Sequence, residues 1–120
     1  MARIRTIKPA LMTGRTSSSW SDAVFRTFAG LLTYVDDKGR GEDDPLLIKA
    51  EIAPRIVKKT APLIKKHMDE LQATDTLCRY QGDDGRDYFH LVNFLRDQRI
   101  NRPTPSRIQP CPKHEEEGLF

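Results

Sequence analysis

Eight prolines divide this 120-residue chain into stretches that can and cannot be helical. Proline fixes φ, lacks a backbone donor and clashes with the preceding turn, so it opens helices and otherwise ends them. Pro9 disfavours helix in the residues before it. Pro45 and Pro62 stand where a helix can begin, and Pro54 where one must stop. Pro103, Pro105, Pro110 and Pro112 crowd the last part of the chain, which predicts an extended tail with neither helix nor core strand.

Between these marks the apolar spacing is informative. Val24, Phe25, Phe28, Leu31, Leu32 and Val35 recur at helical intervals, with Ser19 or Ser21 as cap and Asp22 in the first turn. They predict a first helix over 22–36, ended by the turn sequence Asp36-Asp37-Lys38-Gly39. Gly39-Arg40-Gly41 is expected to be flexible. Asp43 or Asp44 caps a second helix over 45–53, carrying Leu46, Leu47, Ile48, Ala50 and Ile52. Thr60 caps a third, ending near Ala73, with Leu63, Ile64, His67, Met68 and Leu71 as its apolar stripe. Residues 77–80 and 86–92 favour strands, joined through Asp84-Gly85, a hairpin signal. Residues 93–98 suit one helical turn or irregular structure. Residues 13–19 read as a polar loop, and residues 1–10 as an arm able to add a short strand to the hairpin, with Ile4 and Ile7 facing the core.

Three helices followed by a hairpin give an α+β chain of winged helix-turn-helix plan, with a C-terminal β-hairpin and extended basic arms. The expected organisation is a basic N-terminal arm (1–20), a winged helix-turn-helix domain (21–98) and a Pro/Arg-rich extended tail (99–120). No apolar run approaches the roughly 20 residues of a membrane span, and none follows Met1–Arg5 as a signal peptide requires. Cys78 and Cys111 are therefore expected as reduced thiols in the cytoplasm. Cys-His zinc spacing reads as absent, which argues against a zinc finger, so neither a metal nor a cofactor is expected.

The net charge of +3 is unevenly spread. Residues 1–20 hold four basic side chains and no acid, and residues 91–114 hold five against Asp97 alone. Residues 21–90 hold eleven basic and thirteen acidic groups, and Glu115–Glu117 close the acidic count. A near-neutral body with basic arms suits a polyanion, and arginine in both arms suits phosphates and narrow grooves. In this fold the third helix enters the major groove. The candidate DNA-binding residues are Arg3, Arg5 and Lys8 of the first arm, Lys58, Lys59, Lys65 and Lys66 around the third helix, and Arg99, Arg102 and Arg107 of the tail. Arg79 and Arg86 on the strands are weaker candidates. The hairpin tip, Asp83-Asp84-Gly85-Arg86, is acidic and unsuited to phosphate.

Catalysis finds little support. A Gly-rich phosphate loop is missing, and Asp36, Asp37, Glu42, Asp43 and Asp44 lack the spacing of a calcium loop, so turn and capping roles are expected for them. His67 and His90 read as packing histidines, and His114 carries no assignment.

The segments Ala2–Pro9, Tyr34–Asp43, Leu47–Glu51 and Gln98–Ile108, in this order, resemble small winged-helix DNA-binding proteins of bacteriophages and prophages, notably those of actinobacterial hosts. These are similar to the N-terminal domains of phage replication initiators and replisome organisers. The resemblance covers about residues 1–108. It implies a non-enzymatic protein of the host cytoplasm that binds double-stranded DNA in replication initiation, transcriptional control or DNA compaction. The chain departs from the family pattern at Ala10-Leu11 and at Phe94–Asp97, where a basic, aromatic stretch is usual. Initiators of this kind continue into a loader-binding domain, so ending at Phe120 suggests a stand-alone module. A homodimer is the expected assembly, because one module buries little surface on DNA. The alternative is a protein-interaction module that captures a host replication or transcription protein through the winged-helix surface or the Pro-rich tail.

Overall fold

The computed structural model describes residues 4–114, which form a small α+β domain with a three-stranded antiparallel sheet. Two short helices come first, α1 (Pro9–Thr13) and α2 (Arg15–Ser18). The polar loop expected at 13–19 is thus partly helical, because hydroxyls satisfy its carbonyls. Ser18 Oγ donates to the Gly14 carbonyl (2.6 Å) and Ser19 Oγ to that of Thr16 (2.6 Å). Trp20 then packs on Phe28, with ring centroids 5.2 Å apart, and joins the core.

α3 (Asp22–Tyr34) starts where Ser21 accepts the Val24 N–H (3.2 Å) and buries Val24, Thr27, Leu31, Leu32 and Tyr34. Asp36 shapes the turn that follows, accepting the N–H groups of Lys38 (2.9 Å) and Arg40 (3.0 Å). Gly39 sits at φ +80°, and a Cβ there would lie 2.6 Å from Phe94. β1 (Arg40–Glu42) follows, where flexibility was expected. A side chain at Gly41 would strike the rings of Tyr34 and Phe89, so glycine here permits close packing rather than mobility.

α4 (Pro45–Ile52) is capped by Asp44, which accepts from Leu46 and Leu47, and stops before Pro54. α5 (Ala61–Ala73) is capped by Thr60 and buries Ile64, His67, Met68 and Leu71. β2 (Leu77–Gln81) and β3 (Asp87–Leu91) form the hairpin, with Leu77 opposite Leu91 and Gln81 opposite Asp87. β1 pairs with the other side of β3, Arg40 opposite His90, so the sheet order is β1-β3-β2. The third strand therefore comes from residues 40–42, not from the N-terminal arm. α6 (Phe94–Asp97) is a single turn.

Alternation along the strands sorts two faces. Leu77, Phe89 and Leu91 join Ile64, Met68, Leu71, Leu31, Val35 and Ile48 in one core beneath the helices. Cys78, Tyr80, Tyr88 and His90 point to the opposite face, which residues 106–114 cover as a strap. Tyr80 Oη donates to the Gln109 carbonyl (2.7 Å), Arg40 Nη1 donates to that of Ile108 (2.8 Å), and Cys111 is buried against Cys78. Thr104 N–H and Ser106 Oγ bond the carboxylates of Asp37 (2.8 Å) and Asp36 (2.5 Å). The described part of the tail is extended, as its prolines require, and residues 104–111 are held against the protein rather than free. No helix among the described residues is long and apolar enough to cross a membrane.

Candidate nucleic-acid interface

The buried stripe of α5 leaves Lys65, Lys66, Asp69, Glu70 and Gln72 exposed on its other side. Lys58 is exposed just before the helix. Lys65 is 3.6 Å from Asp69, one turn on, and Asp69 also accepts from Arg79 Nη1. That bond holds the Asp69 carboxyl below its usual range. Arg79 Nε lies 3.2 Å from Asp43, whose burial raises its pKa despite the guanidinium. Arg79 is thus spent between two carboxylates. The positive part of this face is its N-terminal end, with Lys58, Lys65 and Lys66, and the acidic groups follow.

Two expected cations are turned inward. The Arg5 side chain is 6% exposed. Its guanidinium donates to the carbonyls of Leu32 (2.7 Å) and Val35 (3.0 Å), pairs with Asp37 (3.4 Å) and lies over the Phe94 ring. It closes the C-terminal end of α3, where carbonyls lack helical partners. Lys59 is buried, with Nζ donating to the Ala23 carbonyl (3.0 Å) and 3.5 Å from His67 Nδ1. Burial lowers the pKa of its ammonium. His67 Nδ1 is 2.7 Å from Thr27 Oγ1 in the same cluster, and burial followed by Lys59 lowers its pKa. Neither Arg5 nor Lys59 has a side chain available to a phosphate.

The remaining candidates are dispersed. Lys8 is exposed, its Nζ 3.5 Å from the Arg96 carbonyl. Arg99, Arg102 and Arg107 are exposed along the tail, while Arg3 lies outside the described residues. Arg107 stands between Ser106 and Ile108, both bound on the strap side, whereas α5 lies on the helical side. Arg107 therefore lies on the strap side of the sheet, across from the helical side that carries α5. The hairpin tip, with Asp83, Asp84, Arg86 and Asp87 exposed, is acidic as expected.

Asp36 and Asp44 take the turn and capping roles expected of the acidic cluster, while Asp37 and Asp43 serve as ion-pair and hydrogen-bond partners. Asp36 and Asp37 hold the turn and the tail, Asp43 meets Arg79, and Asp44 caps α4. A cleft of about 270 Å³ separates α1 and α2 from the body, floored by Trp20, Phe28 and Leu32 with Lys8, Arg15 and Asp97 among its polar groups.

One grouping escaped the sequence reading. Cys78 Sγ is 3.4 Å from Cys111 Sγ, which is 3.5 Å from His114 Nδ1. Cys111-Pro112-Lys113-His114 does hold a Cys-x-x-His spacing, and that was the available signal. Its third member, Cys78, is supplied only by the strap's crossing of β2. Comparison with family models, curated proteins and solved structures returns no match to this chain.

Proposed function

We propose that this chain binds double-stranded DNA without catalysing a reaction, as a winged helix whose reading helix is α5. The order α3-β1-α4-α5-β2-β3, with strand order β1-β3-β2, supports that plan. The observation that carries the reading is the exposed cationic start of α5. Lys65 and Lys66 project from a helix whose other side is anchored by Ile64, Met68 and Leu71, and Lys58 is exposed just before it. Such a helix can enter a major groove without rearranging the core, its first turns meeting phosphates or guanine edges. The acidic groups further along α5 and at the hairpin tip restrict contact to that end. With the resemblance to phage replication proteins, the reading extends to replication initiation, transcriptional control or DNA compaction in a bacterial host, by one copy or a homodimer.

The test is fluorescence anisotropy with a labelled duplex of mixed sequence. Replacing Lys65 and Lys66 together by Glu should weaken binding at least about a hundredfold, through loss of two cations and gain of two repulsive charges. Unchanged affinity with an unchanged circular dichroism spectrum would remove α5 as the reader.

A second reading, docking of a host replication or transcription protein, is favoured by the exposed apolar side chains Leu46 and Val57 at α4 and the α4–α5 link. Within the Pro-rich tail, residues 101–105 are exposed, whereas Ser106 and Cys111 are buried in the protein itself.

A further inference from the structure

We propose that Cys78, Cys111 and His114 form a zinc site that fastens the strap to the outer face of the sheet. Cys78 comes from β2 and the other two from the strap, so the donor set joins segments more than thirty residues apart. All three donor atoms lie within 4.8 Å of one another. In a tetrahedral zinc site with bonds of about 2.3 Å to sulfur and 2.0 Å to nitrogen, two sulfurs sit about 3.7 Å apart, and a sulfur and a nitrogen about 3.5 Å. The observed separations are 3.4 Å and 3.5 Å. A disulfide would require the two sulfurs to approach to about 2.05 Å.

The local backbone holds the donors in this arrangement. The His114 N–H donates to the Cys111 carbonyl (3.1 Å), closing the turn that brings both side chains to one side. The His114 ring packs against that of His90, with centroids 5.6 Å apart, which limits its swing. Two thiolates and an imidazole are soft and borderline donors, which select zinc over magnesium or calcium. The charges also close, since a divalent cation with two thiolates and a neutral imidazole is neutral, as a buried site requires. Zinc binds thiolates, so it must displace a proton from each cysteine. Both protons pass to solvent, and a water molecule completes the fourth position.

The full-length protein, reduced and stripped with a chelator, is titrated with Co²⁺ and then Zn²⁺. One equivalent of Co²⁺ should give near-ultraviolet thiolate-to-cobalt charge-transfer absorption and the visible bands of tetrahedral cobalt. One equivalent of Zn²⁺ should abolish both and raise the melting temperature. Cys111→Ser should lose about half of the charge-transfer intensity. His114→Ala, in a half-buried turn remote from the core, should keep the circular dichroism spectrum and weaken metal binding by at least about tenfold. The proposal fails if equimolar Co²⁺ gives no charge-transfer band on protein with two titratable thiols. It fails equally if the band is undiminished in Cys111→Ser, or if His114→Ala binds as tightly as the parent. These readouts are independent of DNA binding, so failure of either proposal leaves the other standing.

Discussion

Arg5 and Lys59 illustrate how far a basic residue's role depends on what its neighbours lack. Carbonyls at the end of α3 need donors, and Arg5 supplies them from a distant part of the chain. Arg5→Ala should lower stability by about 2 kcal/mol, as loss of charged hydrogen bonds does, while leaving duplex affinity unchanged. Urea denaturation and anisotropy on one sample check both halves. Nothing in the sequence distinguishes Arg5 from Arg3 or Lys8, because the partner carbonyls are set by tertiary packing. His67, by contrast, was legible as a packing residue from its place in the apolar stripe. Its pKa is lowered first by burial and then by Lys59, so the unfolded chain takes up a proton there more readily than the folded one. Its contribution is therefore complete above about pH 6.5 and is lost as pH falls below that. Asp43 acts with opposite sign, since its folded pKa is raised and protonation favours the folded state. The urea midpoint should fall between pH 7 and pH 5, and His67→Gln should flatten that fall. Equal slopes for the two proteins would contradict the assignment.

Elements defined by local chemistry were legible almost to their ends. Helix 22–34 has a serine cap, helix 45–52 has Asp44 with Pro45, and the hairpin has Asp84-Gly85 with Gly85 at φ +83°. Elements defined by distant contacts were not. β1 exists because Gly41 admits Tyr34 and Phe89, and the strap lies flat because Tyr80 and Arg40 bind its carbonyls. The N-terminal segment is clasped similarly, Gln98 exchanging two bonds with the backbone of Thr6 (2.7 and 2.8 Å). Prolines announced an extended tail but carried no information on what it would cover. Removing residues 105–120 should uncover the Tyr88 and His90 face, lower the melting temperature by at least about 5 °C and raise binding of a hydrophobic dye. An unchanged melting curve would mean that the strap contributes nothing to the fold.

For the whole molecule, the sheet acts as a partition. Helices and the Lys58, Lys65 and Lys66 end of α5 lie on one side, and the strap with Arg107 lies on the other. The Arg107 part of the tail is therefore separated by the sheet from the cationic start of α5. If the α5 end alone meets DNA, the slope of log affinity against log salt should be about −3, near 0.9 for each of three phosphates neutralised. A slope of about −6 would bring the tail arginines into the interface. The partition also bears on how the protein is made. A chain synthesised only as far as the end of β3 and released would hold every described strand and all the larger helices, yet the back of the sheet would be bare, with its tyrosines open to other chains. Residues 106–111 supply that cover, so a released chain ending shortly before them should aggregate, whereas one ending shortly after should fold.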